Sequence, residues 1–468
     1  MSASEQALDP VAKFREWRDA AIIYTRQKEY AQALDAVAVA AYFLHAIAPP
    51  PFPVDPSLEA CLLKIADALK KDYAPPAGAA AKNARPRVAH VVSMLRDGGG
   101  HTSFYLGFLG AHDRSAFDVK GYVLDDIVEN MAAHEEAKTS SNMAPDTLKK
   151  CGNVPIEFFP AEATRLKKVK LLLEKIAADR IDLVVVHGIP WDVISIVAAR
   201  LNRQTKFVYL HVADGAFNLG PDMFDLHVDF FRETKLDCAR HVNPSRHVLI
   251  PGLCDPLTRD AAEAAPYRKE ELGFRADDVL IGTFGALHKV IRPITPVFLH
   301  MMKQLLERDP RFHYILIGTR PGAMNVEEVL VRFLGAETAR RVHVYQPRED
   351  FLRVMKTLDL YINGFPVSGG CIVLEAMAAG IPMLAATPIY DTQYLTYTVD
   401  IGVEEVFAPP EEIAGKAIAI LSDPEKRKTL GELMKKRFDE ALSPRKVVAQ
   451  YEELFKSLFT GAYSTAIS

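Results

Sequence analysis

The chain has 468 residues, 49% of them apolar and 25% charged, which is more than one ordinary core holds and in keeping with two α/β domains plus an appendage. Its 60 acidic and 56 basic residues leave a net charge of −4, excluding a general electrostatic pull toward nucleic acid or an anionic membrane. Five cysteines, Cys61, Cys151, Cys238, Cys254 and Cys371, follow no disulfide-like spacing and no signal peptide opens the sequence, so a reducing cytoplasm is the expected location.

Residues 1–75 read as a helical appendage. From Val11 to Lys71 the pattern is helical, with small residues on one face around Tyr30-Ala31-Gln32-Ala33-Leu34, as in one unit of a tetratricopeptide-like pair. One such unit cannot bury its own face, so it should pack on the body of the protein or on a partner. A plain helical cap and an acceptor-docking module both fit. The longest apolar run, Ala31 to Ala48, is interrupted by Gln32, Asp35 and His45 and ends in three prolines, which makes it a poor membrane span. The Pro-, Ala- and Gly-rich tract from Ala74 to Arg87 reads as a linker.

Residues 76–250 read as a first Rossmann-like domain. A buried-strand run, Val88 to Val92, is followed by Arg96-Asp97-Gly98-Gly99-Gly100-His101 and a helix from Thr102. The full dinucleotide fingerprint and its acidic partner are missing; instead, backbone at Gly99 and Gly100 could approach a sugar and its diphosphate. Further strands are predicted over Phe117–Leu124, Ile156–Phe159, Leu183–Val186 and Phe207–Leu210, with helices around Ala163–Ala178 and Trp191–Leu201. Two of these strands end in a histidine, His187 and His211. In open parallel sheets the ligand crevice lies beyond the carboxyl ends of the strands, so both imidazoles are expected to face it; a hydrogen-bonded structural role is the alternative. Asp214 could orient His211 or act as a base itself. Cys238, His241, His247 and Cys254 match no compact zinc spacing, and no Asp-x-Asp pair offers to chelate a nucleotide-bound ion, so no metal is expected.

Residues 251–440 read as a second such domain after a crossing from Pro251 to Phe274. Its first strand, Val279 to Gly285, leads to Lys289 and Arg292, cations able to neutralise charge on a departing diphosphate; a solvated surface pair is the alternative. Strands Tyr314–Ile317 and Val342–Tyr345 follow, then Gln346-Pro347-Arg348-Glu349-Asp350-Phe351, where Arg348 could hydrogen-bond a nucleotide base and Phe351 stack on it. Next, Leu360-Tyr361-Ile362 breaks into a loop ending in Ser368-Gly369-Gly370, a helix runs from Cys371 to Ala379, Gly380 stops it, and Pro382–Ala385 forms the next strand. Residues without side chains at a helix start let backbone N–H groups close on an anion, so the loop reads as a diphosphate cradle. Glu375, just over a turn into the helix, suits the ribose hydroxyls rather than the phosphates. Phe407 to Glu412 reads as the start of a helical tail. The amphipathic segment Val447–Phe459 within residues 441–468 reads as a helix returning to the first domain.

Two α/β domains, a glycine loop in each and a returning C-terminal helix resemble a GT-B glycosyltransferase. From Ile281 onward the chain resembles the soluble O-linked N-acetylglucosamine transferases and related bacterial cytoplasmic protein glycosyltransferases, through Phe284 to Pro293, Gln346 to Phe351 and Asn363 to Gly380. The resemblance implies UDP as the nucleotide, with Lys289 on its diphosphate, Arg348 and Phe351 on its base and Glu375 on its ribose. Leu374 to Pro382 also resembles the retaining glycogen-synthase-like families, whose strand-end histidine His211 would match. Their paired glutamates sit eight positions apart, however, and Val367 stands where the first would be. Gly370 stands where the O-linked N-acetylglucosamine transferases have a histidine, so the stereochemical outcome is open.

The sequence thus predicts a metal-independent cytoplasmic glycosyltransferase moving a hexosyl or N-acetylhexosaminyl group from a UDP-sugar to an acceptor held between the domains, with protein as the preferred acceptor class. His211, Asp214 and Lys289 are the candidate catalytic residues. Gly99, Gly100, Gly285, Lys289, Arg292, Gln346, Arg348, Phe351, Ser368, Gly369, Gly370, Cys371 and Glu375 are the candidate donor-binding residues. A polysaccharide or glycolipid acceptor, a nucleotide-sugar epimerase and a non-catalytic scaffold remain as alternatives, and homo-oligomerisation stays open. No nucleic acid and no stable membrane insertion are expected.

Overall fold

The computed structural model describes residues 9–47, 55–71, 73, 83–96, 100–128, 143, 145–212, 219–232, 242–254, 264–292, 296–318, 325–387 and 401–460. The chain divides into two compact units, residues 1–250 with 448–468, and residues 251–447.

In the first unit, helices α1 (Pro10–Gln27) and α3 (Pro56–Leu69) start alike. Asp9 and Asp55 turn their carboxylates back onto the first free N–H groups, and the following proline occupies a position that needs no donor. Between them α2 (Tyr30–Ile47) is buried over Ala33–Ala41 except at Asp35. These helices share one apolar core with α5 (Arg165–Ala178) and α6 (Val193–Leu201) further along the chain. Arg165 reinforces the joint by reaching Asp35 at 2.8 Å. The appendage is therefore a cap on the first unit.

Strands β1 (Arg87–Val92), β2 (Asp118–Val123), β3 (Ile156–Phe158), β4 (Leu183–Gly188), β5 (Lys206–His211), β6 (Leu226–Asp229) and β7 (His247–Leu249) form one sheet in the order β3-β2-β1-β4-β5-β6-β7. All of its pairings are parallel, so its strands read as near-continuous apolar runs, as β1 and β4 do. Helix α4 (Gly100–Ala111) follows β1. From Val448 on, the last helix, α13 (Pro444–Thr460), belongs to this unit. Tyr451 lays its ring 4.8 Å from Phe108, and Glu452 accepts from the backbone N–H of Asp113 at 2.8 Å.

The second unit repeats the plan with β8 (Val279–Phe284), β9 (Phe312–Ile317), β10 (Val342–Tyr345), β11 (Leu360–Ile362), β12 (Met383–Ala386) and β13 (Phe407–Ala408) in the order β10-β9-β8-β11-β12-β13, again all parallel. Helices α7 (Val297–Arg308), α8 (Val326–Leu334), α9 (Phe351–Thr357), α10 (Cys371–Ala378), α11 (Ile413–Leu421) and α12 (Pro424–Arg437) complete it. Gly380 ends α10 with φ +70°, a left-handed stop that glycine adopts without strain. Phe407 and Ala408 do not begin the helical tail expected of them; they add an edge strand to β12, and helix resumes only beyond Pro409-Pro410, at Ile413. In both units the strand order reverses beside the first strand, which places a crevice between β1 and β4 and another between β8 and β11. Among the described residues, no helix is long and apolar enough to cross a membrane.

Candidate functional site

Strands β8 and β11 are neighbours, and the two segments singled out in the second unit leave from their carboxyl ends. Gly285 follows β8 with φ +133°, exposed, and the chain turns through Leu287–Lys289 in a single helical turn. Asn363 follows β11, and the loop beyond it closes at Ser368-Gly369-Gly370 before α10 begins at Cys371. The topology thus brings together residues almost eighty positions apart: Lys289 Nζ donates to the Ser368 carbonyl at 3.4 Å. Ser368 is 4% exposed, whereas Gly369, Gly370 and Cys371 are half-exposed, so the turn is open at its glycines.

The loop owes its shape to a residue the sequence analysis did not select. Asn363, 2% exposed, accepts from the Gly369 N–H at 3.2 Å and donates to the Gly369 carbonyl at 3.3 Å, fixing one glycine from both sides. A Cβ on Gly369 would come within 2.5 Å of Ile372, so the turn admits no side chain there without movement. Gly318, at the end of β9, was also missed: a Cβ on it would lie 1.6 Å from the Gly285 carbonyl oxygen. The only sequence signals were an Asn-Gly pair after β11 and an Ile-Gly step after β9.

Charge at this edge is positive. Partial burial, with the Lys289 and Arg292 cations beside it, holds the His288 imidazole below its usual range. Helix α10 aims its first N–H groups from the same edge, where its dipole favours an anion. Glu375 is 8% exposed in the second turn of α10, and its carboxylate adds to the burial that raises the Tyr361 phenol on β11. A groove of 840 Å³ lies elsewhere in this unit, at the opposite edge of the sheet. Three of its cations already face carboxylates, Arg427 with Asp359 at 2.8 Å, Lys435 with Asp439 and Lys436 with Glu440 at 4.0 Å, so the open cradle at the strand ends is the better candidate for an anionic ligand.

Beyond β10, Gln346 is exposed and Arg348 and Phe351 are half-buried. Arg348 places Nε and Nη2 on the two oxygens of Asp350 at 2.8 and 2.7 Å and lies over the Tyr345 ring at 5.5 Å. This fork, with the Tyr267 hydroxyl donating to the same carboxylate at 2.8 Å, holds Asp350 down at about 2. The Arg348 guanidinium is therefore oriented in advance, with one nitrogen not engaged by Asp350.

In the first unit Gly99 and Asp214 lie outside the described residues. Gly100 is exposed at the start of α4, with open space where a Cβ would stand. His187 does not face the crevice. Strand β4 runs on through Gly188, over which the Tyr209 ring is packed at 2.0 Å from an added Cβ, and His187 is buried with its Nε2 2.8 Å from His90 Nδ1. From there a polar chain runs through His90 Nε2 and His112 Nε2, 2.9 Å apart, to Glu452 at 2.8 Å from His112 Nδ1. Burial and the neighbouring imidazoles hold His90 and His187 well below the usual histidine range.

His211 does end β5, but it is 2% exposed and its Nδ1 bonds Asp229 Oδ1 at 2.7 Å. The residue that orients it is thus Asp229, placed beside it by the parallel register of β5 and β6, in which Leu210 faces Val228. His227 and His247 bond the same carboxylate. Burial alone would raise the Asp229 carboxyl; the three imidazoles outweigh it and hold the group well below the usual carboxylate range.

Residues 269–437, most of the second unit, match the family model of glycosyl transferases group 1. No curated protein is similar enough in sequence to be matched. Among solved structures, an O-GlcNAc transferase mutant of Thermobaculum terrenum superposes with a TM-score of 0.60 at 16% identity, covering 95% of this chain and 82% of that one. HepE of Anabaena in complex with UDP gives 0.59 at 16% identity over 79% of this chain and all of its own. A glycosyltransferase of Rickettsia africae gives 0.61 at 12% identity over 81% and 99%.

Proposed function

We propose that this chain, a GT-B protein whose residues 269–437 form a group 1 glycosyl transferase domain, moves a hexosyl or N-acetylhexosaminyl group from a UDP-sugar to a protein acceptor. The observation that carries the reading is the meeting of Lys289 with the Ser368 carbonyl, 3.4 Å apart, at the mouth of an open glycine turn. A diphosphate seated there exchanges a neutral carbonyl for anionic oxygen as the lysine's partner, and the N–H groups beginning at Gly370 and Cys371 take the other oxygens. As the bond from sugar to UDP breaks, charge builds on the diphosphate, and a fixed cation and a helix start stabilise that charge more than the ground state.

Glu375 takes the ribose hydroxyls, while Arg348, held by Asp350, and Phe351 take the base, with Gln346 at the rim. Gly285 lets backbone approach the donor and Arg292 adds positive potential. UDP as the nucleotide is supported by the resemblance of the Gln346–Phe351 and Asn363–Gly380 segments to O-linked N-acetylglucosamine transferases and by UDP in the HepE structure. Protein as acceptor is supported by the likeness to the Thermobaculum terrenum O-GlcNAc transferase mutant, which extends over 95% of this chain. On the acceptor side His211 and Asp214 are the candidates. Asp229 fixes the His211 ring, which suits it to positioning the sugar. Gly99 and Gly100 let backbone approach it.

The test is UDP release from a panel of UDP-sugars with and without candidate acceptor proteins, followed by intact mass of the acceptor. Turnover that depends on acceptor, with an acceptor mass gain of one sugar, is expected. Sugar conversion without acceptor would indicate an epimerase, and no turnover with any donor would overturn the reading.

A further inference from the structure

We propose that His211, His227 and Asp229 form a buried binding site for one divalent first-row metal ion of the zinc class, with His247 holding the carboxylate from its other side. Strand register assembles the group. His211 stands beside Asp229 across β5 and β6, His227 and Asp229 share one face of β6 two residues apart, and His247 pairs with His227 across β6 and β7. One ligand atom from each of His211, His227 and Asp229 lies within 4.8 Å of the other two. His211 Nδ1 and His227 Nε2 approach the same oxygen, Asp229 Oδ1, at 2.7 and 3.3 Å. Metal bonds of about 2.0–2.2 Å at tetrahedral angles set ligand atoms about 3.3 Å apart, so the ion is admitted when the His211 ring draws back from Asp229 and the two rings converge on one point.

Charge and surroundings point the same way. Asp229 is fully buried, and the partners of its carboxylate among the described residues are imidazoles. No lysine or arginine among those described residues meets this carboxylate, and imidazole with carboxylate is a donor set suited to such an ion. His247 Nε2 on Asp229 Oδ2 is the kind of outer hydrogen bond that orients a ligating carboxylate. The site lies in the first unit; an ion there orders the ends of β5, β6 and β7 and takes over from Asp229 the fixing of the His211 ring.

The experiment strips the full-length chain with a chelator, adds zinc or cobalt alone, and reads bound metal by elemental analysis, cobalt ligand-field bands in the visible and the thermal melt. The expected result is about one equivalent per chain, visible cobalt bands and a melt raised by metal and lowered again by chelator. His227→Gln should remove that equivalent, His247→Ala should weaken binding about 10- to 100-fold, and His313→Ala, in the separate His313–His343 pair of the second unit, should change nothing. Because the wild-type melt needs no variant, a misfolded His227→Gln leaves the test intact. Stripped wild type that takes up no metal, or a folded His227→Gln that binds as wild type does, overturns the proposal.

Discussion

Asn363 closes a ring of two hydrogen bonds on Gly369, donating to its carbonyl at 3.3 Å and accepting from its N–H at 3.2 Å. The side chain stands at the end of β11 and the glycine in the turn before α10, so this ring sets the distance between the sheet and the proposed diphosphate cradle.

Asn363→Ala should therefore loosen the turn without touching a ligand. Two net hydrogen bonds at about 1 kcal/mol each are lost, and the cradle must then be ordered by the nucleotide itself. Calorimetry should show UDP affinity reduced about tenfold and a modest fall in melting temperature. Unchanged affinity in a folded variant would remove Asn363 from this role.

Gly318→Ala tests the same region from the other side. A methyl at Gly318 would lie 1.6 Å from the Gly285 carbonyl oxygen, so the chain leading to Lys289 must move. A loss of about 2–4 kcal/mol in chemical denaturation is expected, together with weaker UDP binding. Wild-type stability and affinity would show that the backbone there yields freely.

The fold was largely legible, and for a physical reason: strands buried on both faces of a parallel sheet must be apolar throughout, so Val88–Val92, Leu183–Val186 and Val279–Phe284 stand out by composition alone. The two segments that meet at Lys289 and Ser368 could be picked out because each follows a strand and one carries consecutive glycines, but their meeting, at 3.4 Å, follows from the pairing of β8 with β11. What escaped depends on partners distant in sequence. His211 pairs with Asp229 and, through it, with His227 and His247 on three strands, a grouping set by register rather than spacing. Of the two roles left open for His187 the hydrogen-bonded one is found, and its partner His90 lies 97 positions away on the neighbouring strand β1, where no local pattern announces it. Phe407-Ala408 is too short for any alternation to show.

Acid should destabilise the first unit through its buried imidazoles. Burial, the largest cause for each, holds His90, His112 and His187 below the ordinary histidine value, so the native state resists protons that the unfolded chain takes up from about pH 6.5 downward. The unfolded state then binds more protons, and stability falls as pH falls, by about 1.4 kcal/mol per pH unit for each histidine in that window. Above about pH 7 these groups contribute no slope. Denaturant midpoints at pH 7.5, 6 and 5 check this; midpoints that stay level between 6 and 5 would contradict it.

The central claim, a nucleotide diphosphate between Lys289 and the turn beginning at Ser368, is tested most directly by calorimetric titration of UDP and of uridine into wild type, Lys289→Ala and Glu375→Ala. The account predicts UDP affinity down about 10- to 100-fold in Lys289→Ala and about tenfold in Glu375→Ala, with uridine weakened only in Glu375→Ala because it carries no phosphate for Lys289 to meet. Wild-type UDP affinity in both folded variants would contradict it.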